Sequence, residues 1–150
     1  MLINREGLVW VGRRRPKWAG YGSAHIWQMP QGGIMPGEGE QAAALRELQE
    51  ETGVESVELL AEARGWLSYD LPSDLLGIAL KGRYRGQRQK WFAMRFTGPE
   101  SEIDIAPRGG HKAEFDAWRW ASPAELPHST TPFKRQLYCD VMSEFAAFVG

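Results

Sequence analysis

Apolar positions along the chain follow two spacings, one suited to strands and one to helices. Residues 8–13 (LVWVGR) are apolar and β-branched enough for a strand, and Arg5-Glu6-Gly7 before them suits a hairpin turn. Residues 14–37 are rich in Gly and Pro and predict loop with short extended pieces. A helix is expected from about Gly39 to Thr52, where Ala42, Ala43, Ala44, Leu45 and Leu48 are good helix formers and Gly53 is placed to close it. Residues 57–66 predict a strand. Residues 78–84 and 90–96 predict a further pair, joined by the basic turn Arg85-Gly86-Gln87. Residues 114–120 alternate as a strand should, with Phe115, Ala117 and Arg119 on one face. Ser122-Pro123 reads as a capped helix start. In residues 133–148, Leu137, Val141, Phe145 and Phe148 recur at helical spacing. Strands outnumber helices in a mixed order, so the expected class is α/β or α+β, a sheet covered by two main helices.

The length of 150 residues fits one domain, residues 1–150, with room for a real core. No apolar run approaches the roughly 20 residues needed to span a bilayer, and no secretory signal follows Met1-Leu2-Ile3. The lone Cys139 excludes an internal disulfide framework and a Cys-based zinc site, and it reads as a packing residue. His25, His111 and His128 are scattered without metal-ligand spacing. A cytoplasmic protein with no membrane contact and no stable DNA binding is expected; the oligomeric state is left open.

Net charge is −1, but its distribution is uneven. Glutamate is dense between residues 38 and 62. Residues 75–99 carry no acid, yet hold Lys81, Arg83, Arg85, Arg88, Lys90 and Arg95. A second basic cluster is Arg13, Arg14, Arg15 and Lys17. The pattern fits two solvated faces, or phosphate recognition beside an acidic, metal-filled site.

Glu47, Glu50 and Glu51 stand at i, i+3 and i+4, on one face of the expected helix and within one turn. Like charges at this spacing repel, and the C-terminal end of a helix prefers cations. A divalent cation resolves both problems, and hard oxygen ligands favour Mg²⁺ or Mn²⁺. A solvated acidic face, with Arg46 and Arg64 as partners, is the plainer alternative. The wider spacing decides between them. Gly32, five residues, Glu38, seven residues, Arg46-Glu47, two residues, Glu50-Glu51, one residue and Gly53-Val54 form one pattern. It arises by chance on the order of 10⁻⁸ times per starting point at typical residue frequencies.

In this pattern the chain resembles the Nudix hydrolase superfamily. The resemblance implies an α/β/α sandwich around a mixed sheet, and hydrolysis of phosphoanhydride bonds in nucleotide-type substrates. It implies Glu47, Glu50 and Glu51 as metal ligands, Arg46 orienting a catalytic carboxylate, Gly32 and Gly53 shaping the flanking loops, and Glu38 in a supporting role. Trp27-Gln28-Met29-Pro30-Gln31-Gly32-Gly33 is similar to the diadenosine polyphosphate hydrolase and RNA 5′-pyrophosphohydrolase branch. So are Trp66-Leu67-Ser68-Tyr69-Asp70-Leu71-Pro72, Gly86-Gln87-Arg88-Gln89-Lys90-Trp91-Phe92, residues 114–120 and Pro132-Phe133-Lys134-Arg135.

In that setting Glu114 is a further metal ligand or the base that activates water. Gln89, Lys90 and Lys134 hold phosphate oxygens, and Tyr69 and Phe133 stack on a purine. Trp91, Trp118 and Trp120 read as core. In this branch a longer first strand with a Tyr-Arg-Pro type segment normally precedes the stretch resembling residues 1–5. The expectation is an upstream start, or a first strand that is partly missing. The substrate is a dinucleoside polyphosphate or a triphosphorylated RNA 5′ end. A nucleoside triphosphate-sanitising enzyme and a non-catalytic nucleotide-binding module are the alternatives.

Overall fold

The computed structural model describes residues 1–14, 26–107 and 113–150. Its elements run β1 (Leu2–Ile3), β2 (Val9–Arg14), β3 (Ile26–Gln28), α1 (Glu40–Thr52), β4 (Val57–Glu62), β5 (Leu67–Asp70), β6 (Gly86–Gln89), β7 (Phe92–Phe96), β8 (Ala117–Ala121), α2 (Leu126–Ser129) and α3 (Arg135–Glu144). The main sheet has the order β3-β2-β1-β7-β4, with β8 also paired to β2. β1 and β7 are parallel and the other pairs antiparallel, so the sheet is mixed. β5 and β6 form a separate two-stranded ribbon.

Side chains point alternately to the two faces of a strand, and the central strands are apolar on both. Ile3, Val9, Val11 and Ala93 face Leu137, Tyr138 and Val141 of α3. Their sequence neighbours Leu2, Trp10, Phe92 and Met94 face the other way, with Leu48 of α1 and Val54. Each face thus buries its apolar surface under a helix, which is the expected α/β/α sandwich. Trp10 is fully buried, edge-on to Phe115 at 5.4 Å and stacked on Trp118 at 6.4 Å.

Three expectations change. The strand expected over residues 57–66 ends at Glu62. Residues 78–84 form no strand; the chain instead makes a 3₁₀ turn at Leu80–Gly82, bounded by left-handed Gly77 and Gly82. Ile78, apolar but 66% exposed, carried the misleading alternation. The strand in this region is β6, which pairs Tyr69 with Gln87 and Leu67 with Gln89. Finally, Phe115 precedes β8 and lies outside its pleat. It shares the core of Trp118 and Trp120, while Arg119 stacks over Trp27 at 4.6 Å.

The expected helix within the box is present as α1, the Ser122-Pro123 start caps a 3₁₀ turn at Pro123–Glu125, and the helix expected over residues 133–148 is α3 alone, flanked by 3₁₀ turns at Pro132–Lys134 and Ala146–Phe148. Among the described residues no helix is long and apolar enough to cross a membrane.

Candidate active site

The acidic side chains sit on α1 because its other face is spent on the sheet. Ala43 and Leu48 are buried there, which leaves Glu47 and Glu51 on the side toward the loop that follows β3. Gly53 (φ +76°) stops the helix, its N–H donating to the Gln49 carbonyl at 2.8 Å.

Arg46 organises the loop. Its Nε and Nη2 donate to the two carboxylate oxygens of Glu38 at 2.8 and 3.0 Å. Nη2 also reaches the Gly33 carbonyl at 2.7 Å, and Nη1 donates to Glu47 at 2.8 Å and Glu50 at 3.2 Å. Glu38 accepts a further bond from the Met35 N–H at 3.0 Å. Hydrogen bonds from Arg46, then from the Met35 amide, hold the Glu38 carboxyl down at about 2. One planar guanidinium therefore ties the glycine-rich loop to two glutamates of α1.

Gly32 lies hard against Glu47: a β-carbon there would come within 1.9 Å of the Glu47 carboxyl carbon. A Gly32→Ala substitution must displace that carboxylate. It is expected to cut kcat/KM by about 10–100-fold while moving the melting midpoint by no more than about 2 °C, as steady-state kinetics and calorimetry would show.

Glu51 is the most enclosed acid. Its carboxylate accepts the Gln31 N–H at 3.2 Å. Burial pushes its pKa up to about 9, reinforced by the charges of Glu114 and Glu47. Burial also raises Glu47, against the pull of Arg46. Glu114, expected within a strand, stands three residues before β8 and pairs with Arg14 at 3.0 Å. Among the described residues no three acidic or imidazole groups stand ready as a metal cage. Glu47 and Glu50 are turned to Arg46 instead.

The start of α3 and the β5–β6 ribbon close the other side. Lys134 is buried, with its ammonium 3.4 Å from the Gln31 side-chain oxygen and 5.3 Å above the Tyr69 ring. Phe133 meets the same tyrosine at 5.6 Å between centroids. Gln89 donates to Gln31 at 3.0 Å. Gln31 is thus a hub, its amide on Glu51 and its side chain between Gln89 and Lys134.

Lys90, expected to hold phosphate, has its ammonium on the Ala63 carbonyl at 2.9 Å and Glu62 at 3.3 Å. Sequence reasoning passed over the roles of Gln31, Arg14 and Tyr138, whose hydroxyl accepts the Met29 N–H at 2.9 Å. The one local sign was Gln31 inside the quoted Pro30-Gln31-Gly32 segment. Arg15, Lys17, His25 and His111 lie outside the described residues.

Burial lowers Lys134 to about 8, with the charge of Arg14 a further cause. Its ordinary value is 10.5, so the folded state holds this proton less tightly than the unfolded chain. The group costs stability below pH 8, and that cost is relieved as pH rises from about 8 to 10.5. Lys134→Met is therefore expected to melt higher than the parent at pH 7, with the gain shrinking over that window in a pH series of melting curves.

A mixed sheet between two helices, with a glutamate-bearing helix behind an arginine-braced glycine loop, is the arrangement that the Gly32–Val54 pattern leads us to expect of a Nudix hydrolase. The NUDIX domain model matches residues 1–141, and the chain belongs to the Nudix family. It is 57% identical over 148 residues to an RNA pyrophosphohydrolase of Rhodopseudomonas palustris (strain BisA53), covering 98% of this chain and 84% of that protein. To the RNA pyrophosphohydrolase of Rhizobium meliloti (strain 1021) it is also 57% identical, covering 99% and 91%. Among solved structures, a C. elegans Ap4A hydrolase binary complex matches with a TM-score of 0.60 at 14% identity, covering 98% of this chain and 96% of that one. The E. coli dihydroneopterin triphosphate pyrophosphohydrolase matches with a TM-score of 0.62 at 19% identity, covering 93% and 90%. These two likenesses bear on the fold alone.

Proposed function

We propose that residues 1–150 act as one domain that converts a triphosphorylated RNA 5′ end to a monophosphate, using Mg²⁺ or Mn²⁺ held by Glu47, Glu50, Glu51 and Glu114. The observation that carries the choice of substrate is the 57% identity to RNA pyrophosphohydrolases over nearly the whole chain.

The donor set fits a hard divalent cation. All four groups offer carboxylate oxygen, and two of them, Glu47 and Glu51, are raised by burial and by neighbouring negative charge. A bound cation of this kind neutralises phosphate oxygens and acidifies a coordinated water. The chain's own residues do the rest. Arg46 fixes the direction of Glu47 and Glu50, and the Gln31 amide fixes Glu51. Lys134 offers a buried positive charge to a phosphate, helped by Gln89 across Gln31. Phe133, partly buried, is the aromatic surface left for a base; Tyr69, expected to stack on a purine, is instead buried in the core beneath Phe133 and the Lys134 ammonium. Water adds to the α-phosphorus, giving up a proton to a carboxylate of the cluster, the α–β phosphoanhydride bond breaks and pyrophosphate leaves with the monophosphate end behind; release as single phosphates takes two such hydrolyses, through the diphosphate.

Product analysis by mass spectrometry with 5′-triphosphorylated RNA and diadenosine tetraphosphate at equal concentration tests this. The expected result is a kcat/KM for RNA at least about tenfold higher, a difference of about 1.4 kcal/mol in transition-state binding. The reverse preference moves the substrate to dinucleoside polyphosphates. Turnover of free nucleoside triphosphates alone moves it to nucleotide sanitation.

A further inference from the structure

The segment joining β5 to β6 carries a basic, aromatic surface that the reaction above does not use. Arg83, Arg85 and Arg88 are exposed, and so is Tyr84 at 60%. Neither Arg83 nor Arg85 has an ion-pair partner among the described residues, whereas Lys90 and Arg95 of the same basic stretch are bound to carbonyl oxygens. Arg88 lies 5.0 Å over the half-exposed ring of Trp66.

This surface has a set shape. Leu75 and Ala79 anchor it in the core. The Arg85 carbonyl accepts the Leu71 N–H at 2.6 Å, just before Gly86 pairs with Asp70. Leu80 holds φ +53°, costly for a residue with a side chain and sustained only when the surroundings impose it.

It is also continuous with the site. One cavity of about 370 Å³ is lined both by Gln31, Gly32 and Glu47 of the site and by Trp66, Gln87 and Arg88. Along β6, Gln89 touches Gln31, and Arg85 lies four residues away, roughly 14 Å at strand rise. That is beyond a group held at the glutamates, and within the path of a chain attached to it.

We infer that this lip carries the single-stranded RNA trailing from the reacting 5′ end, with phosphates on Arg83 and Arg85 and a base stacked on Tyr84. The inference rests on RNA being the substrate. Positive charge free of internal partners suits a phosphate backbone, and an exposed ring between two arginines suits a stacked base of any sequence.

The test compares a 5′-triphosphorylated RNA of about a dozen nucleotides with a triphosphorylated dinucleotide, using the full chain and its Arg83→Glu/Arg85→Glu, Tyr84→Ala and Tyr84→Phe variants. Charge reversal is expected to raise KM for the long RNA about tenfold and to flatten its log–log salt dependence by about 1.4, two contacts at about 0.7 each. Tyr84→Ala is expected to raise the same KM about tenfold, and Tyr84→Phe to restore it. Dinucleotide kinetics stay at parental values throughout. Equal losses on both substrates, or parental kinetics on the long RNA, overturn the inference. Failure of the parent to cleave either RNA overturns the substrate reading itself; cleavage of both with neutral variants leaves that reading standing and removes only the lip.

Discussion

Glu51→Gln is expected to lose turnover by about 10³-fold or more and, in metal-free buffer, to melt at a higher temperature than its parent. The two effects share one cause. Burial, with Glu114 and Glu47 close by, lifts the Glu51 carboxyl from 4.5 to about 9. Between those values the folded protein binds a proton that the unfolded chain has released. Stability therefore falls as pH rises through that window, by on the order of 3 kcal/mol up to pH 7.

Glutamine carries no charge and keeps an oxygen for the Gln31 amide. Burying its NH₂ group takes back part of the gain. A net rise of about 1 kcal/mol, or about 3 °C in Tm, is expected. Added Mg²⁺ should reverse the order, stabilising the parent by mass action and leaving the variant almost unmoved. Melting curves with and without Mg²⁺, beside a turnover assay, read both halves. Parental turnover by the variant would remove Glu51 from the reaction.

Arg46→Lys keeps the charge and removes the fork. A single ammonium cannot span both Glu38 oxygens and the Gly33 carbonyl while also holding Glu47. Kinetics should show kcat down about 10²-fold and the Mg²⁺ concentration for half-activity up about tenfold. A variant with the parent's Mg²⁺ requirement would mean that the loop holds its shape without the guanidinium.

What was readable in the chain was what repeats locally. The box lies within 23 consecutive residues, Gly32 to Val54, so its spacing exposes helix, stop and acidic face together. The last helix shows itself in the same way, through Leu137, Val141 and Phe145. The hub at Gln31 does not, because Gln89 lies 58 residues away and Lys134 lies 103 away. No window along the chain contains both partners of such a bond. The ribbon of β5 and β6 was hidden for a different reason. Gly86-Gln87-Arg88-Gln89 has no apolar alternation, and its pairing with β5 sets it apart from the main sheet. Exposed Ile78 and Tyr84 supplied a false strand signal beside it.

Tyr138 belongs to the last helix, yet its hydroxyl holds the amide of Met29, two residues ahead of Gln31. Solvent exchange at that one amide thus becomes a gauge of the distant helix. When α3 lifts from its face of the sheet, the segment leading to the reaction centre loses its tether in the same event. An opening of the C-terminal layer should therefore cost activity even while the box helix on the opposite face stays folded.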